Sequence, residues 1–325
     1  MNGRRRLMIA GAGLLALHPV FAQQAGRIYR VGILSIGTDP KSPGRWPPFF
    51  QAMAGFNYVE DRNVVFTRAY GDGKFENLPG LIDQLVAAKV DIIVATGNRE
   101  IIGLKKAGVS IPTVMTFVDD PVAAGFVESL ARPGGNLTGL TNLIPGLGKK
   151  YVELLRECVP SAKHFAVVAS PPAPTPHMRR EFEAAAKAFG MRQSIAHVRS
   201  PDEYDSVLAG AKKSGAGGLI ATMDGETFRH RHQLVGLALK HRLPGVYGDV
   251  GYVEEGGLMN YSASFADRLR QAATYVDKIL RGAKPAELPI EQPKRIELVI
   301  NMKTARALSV TVPQSLLLRA DRTIQ

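Results

Sequence analysis

One cysteine and one tryptophan, Cys158 and Trp46, stand in 325 residues. A lone cysteine excludes an intramolecular disulfide and any cysteine-based zinc or iron–sulfur centre. Aromatic residues make up only 7% of the chain. Sugar-binding clefts stack their rings on several aromatics, so a sugar is the weaker expectation for any solute. Beyond residue 22 no apolar run approaches the ~20 residues that a membrane-spanning helix needs. Catalytic signatures are missing too: there is no GxSxG elbow and no HExxH. Gly146-Leu147-Gly148-Lys149-Lys150 lacks the upstream glycine and the Ser/Thr of a phosphate loop. His230 and His232 fall on different faces of one helical pattern, which disfavours a metal site. No enzyme activity, cofactor or metal is expected.

Apolar residues at 45% and charged residues at 22% place the chain among globular proteins and exclude wholesale disorder. Lys and Arg outnumber Asp and Glu by 41 to 29, a formal charge of +12. Those basic residues mingle with acids, as in Lys294-Arg295-Ile296-Glu297, without a basic stripe or interleaved aromatics. Nucleic acid is therefore not an expected partner. Three of the charges, Arg4, Arg5 and Arg6, open a leader that continues with the apolar run Leu7 to Leu17 and the small residues Val20 and Ala22. This pattern predicts export to the periplasm with cleavage near Ala22, by the general secretory or the twin-arginine route. Without a cysteine at the cleavage point, a lipid anchor through cysteine is excluded. Gly11-Ala12-Gly13-Leu14-Leu15-Ala16 formally matches a dinucleotide fingerprint, but it lies inside the leader with no strand before it.

From Arg27 onward, short β-branched runs alternate with longer helical patterns. Strands are predicted at Tyr29 to Leu34, Val64 to Arg68, Asp91 to Ala95 and Pro112 to Phe117, with a helix starting near Pro121. A Gly/Pro/Asn loop from Arg132 to Gly139 separates this unit from a second. There, strands at His164 to Ala169, Arg192 to Val198, Gly217 to Thr222 and Gly245 to Tyr247 alternate with helices. Leu147, Tyr151, Leu154, Leu155 and Cys158 form one apolar stripe, which places the cysteine inside. Such alternation predicts an α/β protein of two doubly wound parallel-sheet lobes joined by a hinge. The leader takes residues 1–22, lobe 1 takes 27–140 plus 257–283, and lobe 2 takes 141–256 plus 284–325.

Open parallel sheets bind ligands at the carboxyl ends of their strands, so the cleft between the lobes is the expected site. Short polar segments follow the predicted strands there. They offer Ser35, Gly37, Thr96, Gly97, Asn98, Asp120, Ser170, Asp224, Tyr247 and Asp249 as ligand-binding candidates. Backbone N–H groups after Ser35 and Thr96 suit an anionic end of a solute, and Asp224 or Asp249 suits a cationic end. Asp120 before Pro121, Asp224 and Asn98 also fit as helix caps, and both roles stay open.

At these segments the chain resembles the bacterial ABC-transporter substrate-binding proteins of the tryptophan/tyrosine-type group. The resemblance rests on Val31-Gly32-Ile33-Leu34, Tyr58-Val59-Glu60-Asp61-Arg62-Asn63-Val64 and Asp119-Asp120-Pro121-Val122-Ala123-Ala124-Gly125. Ala131 to Leu140 (ARPGGNLTGL) and Glu297 to Ala305 (ELVINMKTA) complete it. The second-lobe loop Ser170 to Pro176 departs from the family by its prolines. The resemblance implies a type I periplasmic-binding fold with three crossover segments. It also implies a small solute, delivered by a monomeric carrier to ABC permease subunits in the inner membrane. The strand-end N–H groups, the aspartates and the scarce aromatics favour an amino acid or small carboxylate over a sugar. A sensory binding protein presenting its ligand to a membrane kinase, or an exported enzyme on the same scaffold, are the alternatives.

Overall fold

The computed structural model describes residues 27–37, 45–171 and 173–325. The leader expected at 1–22 lies outside the described residues. The first unit runs β1 (Tyr29–Ser35), α1 (Pro47–Gly55), β2 (Val64–Tyr70), α2 (Leu78–Ala87), β3 (Ile92–Ala95), α3 (Asn98–Lys106), β4 (Thr113–Val118) and β5 (Leu137–Thr141). Its strands form one parallel sheet in the order β2-β1-β3-β4-β5. Successive residues of β1 feed opposite faces: Val31 and Ile33 enter one apolar core, and Leu34 enters another. Burial on both faces explains why these strands are apolar runs and not alternating ones.

The helix expected at Pro121 is a single turn instead. Asp120 Oδ1 accepts from Ala123 N at 3.0 Å, and Phe126 N donates to Pro121 O at 2.9 Å. Gly125, at φ 67°, then ends the turn. The chain returns as β5, which the loop assigned to Arg132–Gly139 conceals. Gly139 sits within that strand at φ 122°, where a Cβ would lie 2.3 Å from Met115 O. Only glycine fits there, and a glycine masks a strand in any propensity reading.

The second unit continues with α4 (Leu147–Cys158), β6 (His164–Ala169), α5 (Pro176–Phe189), β7 (Arg192–His197), α6 (Tyr204–Lys213) and β8 (Gly218–Ala221). Next come α7 (Gly225–Arg229), α8 (Arg231–Lys240), β9 (Gly245–Tyr247), α9 (Val250–Glu254) and β10 (Met259–Ala263). The chain ends with α10 (Phe265–Leu280), β11 (Ile296–Asn301), α11 (Met302–Ala307), α12 (Gln314–Leu317) and β12 (Arg322–Ile324). The second sheet has the order β12-β11-β10-β9-β8-β6-β7 and is parallel except where β11 meets β10.

Among the described residues, three crossings join the lobes. The first follows β5, before α4. The second falls at Ser264, not at 257, because β10 pairs with β9 and β11 in the second sheet. Helix α10 then returns to the first lobe, where Leu269, Ala272, Ala273 and Val276 share a core with Val31, Ile33, Phe49 and Met53. The third crossing comes after Glu291, not at 283. Ile290 is still buried in the first lobe, and Leu140 bridges to Glu291. Hydrogen-bond partners decide which sheet a strand joins, and an apolar pattern does not name those partners.

Candidate ligand site between the lobes

A cavity of about 100 Å³ lies where the first two crossings meet the strand ends. It is far larger than the ~10–15 Å³ that a single water requires on this measure. The first lobe contributes Phe117 from the end of β4, Asp119 and Asp120 after it, and Phe265 and Arg268 from the start of α10. The second lobe contributes Tyr151 from α4, Thr222 and Met223 after β8, and Gly248 and Asp249 after β9. Ala173, Pro174 and Thr175 of the proline-rich loop close one side, and Asn142, Leu143 and Ile144 of the first crossing line another.

The wall on the first lobe is aromatic and charged. The rings of Phe117 and Phe265 stack with centroids 4.3 Å apart and planes 14° from parallel. The Arg268 guanidinium lies over the Phe117 ring at 4.9 Å. Arg268 itself is 3% exposed. Its Nη1 donates to Thr141 O at 2.9 Å, its Nη2 donates to Thr116 O, and its Nε has no partner among the described residues. Burial pulls this guanidinium down to about 9, against the favourable charge of Asp119. Burial likewise pushes the Asp119 carboxyl up to about 6, although hydrogen bonds from Asn142 and Asn98 and the Arg268 charge hold it down. At neutral pH the cavity therefore carries the buried Arg268 cation and the half-buried Asp119 anion, on a wall that also holds Asp120 and Asp249 and is otherwise largely apolar.

Of the ten candidates named from sequence, Asp120 and Asp249 line this cavity. Asp249 caps α9, accepting from Gly251 N at 2.7 Å, and pairs with Arg45 Nη2 at 2.5 Å. Asn98 acts one step back by holding Asp119: its Nδ2 donates to Asp119 Oδ2 at 3.3 Å, and its Oδ1 accepts from Asp119 N at 3.2 Å.

Ser35, Gly37, Thr96 and Gly97 are engaged elsewhere. The buried Glu100 carboxylate accepts from Ile36 N and from Thr96 Oγ1, both at 2.8 Å, so the anion at this strand end is the chain's own. Ser35 Oγ accepts from Gly37 N at 3.1 Å and lies within hydrogen-bond distance of Thr96 Oγ1, at 3.1 Å. Gly97 is the N-cap of α3.

Asp224 caps α7 through Glu226 N and Thr227 N, and it also accepts from Ser170 N at 3.3 Å. Burial raises its carboxyl above the usual range, and those backbone donors oppose the rise. Tyr247 is buried with its ring stacked on Tyr252, 5.0 Å between centroids.

Arg268, Phe117 and Phe265 were missed from sequence. The available signal was a charged residue on the apolar face of α10, beside Leu269 and one turn before Ala272. Such a residue is buried only with partners.

A family model described as ABC transporter substrate binding protein matches residues 49–324. The chain belongs to that family. Its two lobes with three crossings are the type I periplasmic-binding fold. This substrate-binding protein is 25% identical to an ABC domain from Streptococcus pneumoniae solved in complex with L-Trp. The TM-score is 0.83, over 91% of this chain and 100% of that one. A conserved domain protein from Vibrio cholerae is 26% identical with a TM-score of 0.84 and the same coverage. A protein named tyrosine-binding protein, from Clostridioides difficile, is 22% identical over 292 residues, 86% of this chain and 81% of that one.

Proposed function

We propose that this substrate-binding protein is the exported solute carrier of an ABC importer. It takes an amino acid with an apolar or aromatic side chain between its lobes and delivers it, as a monomer, to permease subunits in the inner membrane. The leader at residues 1–22 supports the periplasmic destination. One observation carries the choice of solute: buried Arg268 and half-buried Asp119 share a cavity whose remaining wall, Asp120 and Asp249 apart, is largely apolar. A zwitterion matches this arrangement, its carboxylate facing the guanidinium and its ammonium facing the carboxylate. The apolar side chain then lies against Phe265, Leu143, Leu147 and Met178. The names of the Streptococcus and Clostridioides relatives point to the same solute class.

The test is a thermal-shift screen followed by calorimetry, with aromatic and aliphatic amino acids, aromatic carboxylates and neutral sugars. An apolar amino acid should raise the melting temperature by mass action, by about 2.7 kcal/mol of stability at a hundredfold excess over Kd. Tight binding of a neutral sugar, with no response to amino acids, would overturn the solute class. Mass spectrometry of protein from the periplasm should show an N-terminus at or near Gln23, and a main species retaining Met1 in the cytoplasm would overturn export.

A further inference from the structure

Arg45 belongs to the first lobe, next to Trp46, whose ring is buried against Phe49 at the start of α1. Its guanidinium nevertheless ends on the second lobe. Nη2 lies 2.5 Å from Asp249 Oδ1, and the Asp249 side chain is only 6% exposed. The guanidinium carbon stands 3.9 Å from the centre of Phe265, a first-lobe ring, and 4.8 Å from the centre of Phe228, a second-lobe ring. One planar cation thus contacts aromatic rings from both lobes and a nearly buried carboxylate from the second. Asp249 and Phe265 both line the cavity, so the contact sits at its edge. A second contact across the cleft is lighter and exposed: Arg229 Nη1 donates to Gly73 O at 3.3 Å.

We infer that Arg45 is a latch that holds the two lobes closed over the cavity, and hence a positioning residue for solute retention. Lobes of this kind rotate about their crossings, and opening separates first-lobe from second-lobe groups. Opening therefore breaks the Arg45–Asp249 pair and takes the guanidinium from at least one ring. Intralobe contacts, such as Phe117 on Phe265, survive. An interaction made only in the closed state shifts the population toward closure by its full free energy. Arginine suits the task because a flat guanidinium can stack on rings and donate in its plane at the same time, which a lysine ammonium cannot. The consequence for solute release rests on the cleft reading above, whereas the latch itself is testable without any solute.

The experiment places spin labels on the two lobes, at Ile102→Cys and Leu239→Cys, both exposed positions, while Cys158 is buried. Interlobe distances are then measured in solute-free protein by electron–electron double resonance. Arg45→Ala should raise the open-to-closed ratio about tenfold or more, with Arg45→Lys in between. Asp249→Asn should open the lobes as Arg45→Ala does while leaving the α9 cap in place, because asparagine caps as well as aspartate. Molar salt should shift the wild type in the same direction. Identical distance distributions in wild type and Arg45→Ala would overturn the latch. If Arg45→Ala failed to fold, a wild-type distribution for Asp249→Asn would overturn it equally.

Discussion

Asn98 and Asp119 hold each other in both directions across the ends of β3 and β4. The amide nitrogen of the Asn98 side chain donates to the Asp119 carboxylate at 3.3 Å, and the Asp119 backbone N–H donates to the Asn98 side-chain oxygen at 3.2 Å. The carboxylate is thereby aimed before any solute arrives, and the cost of burying it is already met within the fold.

That cost has a pH signature. The Asp119 carboxyl titrates at about 6 against an ordinary 3.8, so the folded state holds its proton more tightly than the unfolded chain. This group's contribution to stability is fully present below about pH 4 and is lost as pH rises through 6. The difference amounts to on the order of 3 kcal/mol. Asp119→Asn should raise stability at pH 7 and leave it nearly unchanged at pH 4, as read by urea denaturation at the two pH values. An amine-bearing solute should bind the wild type more tightly at pH 7 than at pH 5, and this slope should vanish in the variant.

Glu100 fills the strand end that sequence assigned to a solute anion. Glu100→Ala leaves Ile36 N–H and the Thr96 hydroxyl without their acceptor and should cost about 2–3 kcal/mol. Glu100→Gln keeps an acceptor oxygen and should cost about 1 kcal/mol or less. Solute affinity measured by calorimetry should stay within about twofold for both. A tenfold loss in Glu100→Gln would return this corner to the binding site.

For Asp224 the structure displays capping and a tie to Ser170 N. Asp224→Ala should lower stability by about 1–2 kcal/mol with affinity unchanged, and Asp224→Asn should restore most of that stability. A loss of affinity out of proportion to stability would show contact with the solute.

Cys158 is 5% exposed in the core with Tyr151, Leu154 and Leu155, and burial pushes its thiol up to about 12. The native protein should react slowly with a thiol reagent, at the rate of its opening and not of the free thiol. Cys158→Ala should cost roughly 1 kcal/mol, without effect on binding.

By itself the sequence determined the elements whose burial is continuous or strictly periodic. The runs at Tyr29 to Leu34 and His164 to Ala169, the face of α10 and the stripe ending at Cys158 all declare themselves through apolar spacing, a local property of the chain. It also determined the two-unit α/β plan and marked the strand ends as the region of the candidate site. Three matters were decided only by tertiary structure. Residues 259–263 joined the second sheet because pairing partners come from distant segments. Glu100 claimed the donors beside Ser35 and Thr96, although its own position in the first turn of α3 reads as an ordinary surface acid. Arg268 met Asp119 in one cavity only after α10 crossed back onto the first lobe. Charges far apart in sequence acquire a shared, poorly hydrated environment through folding alone, and that environment shifts their proton affinities and makes them usable by a solute.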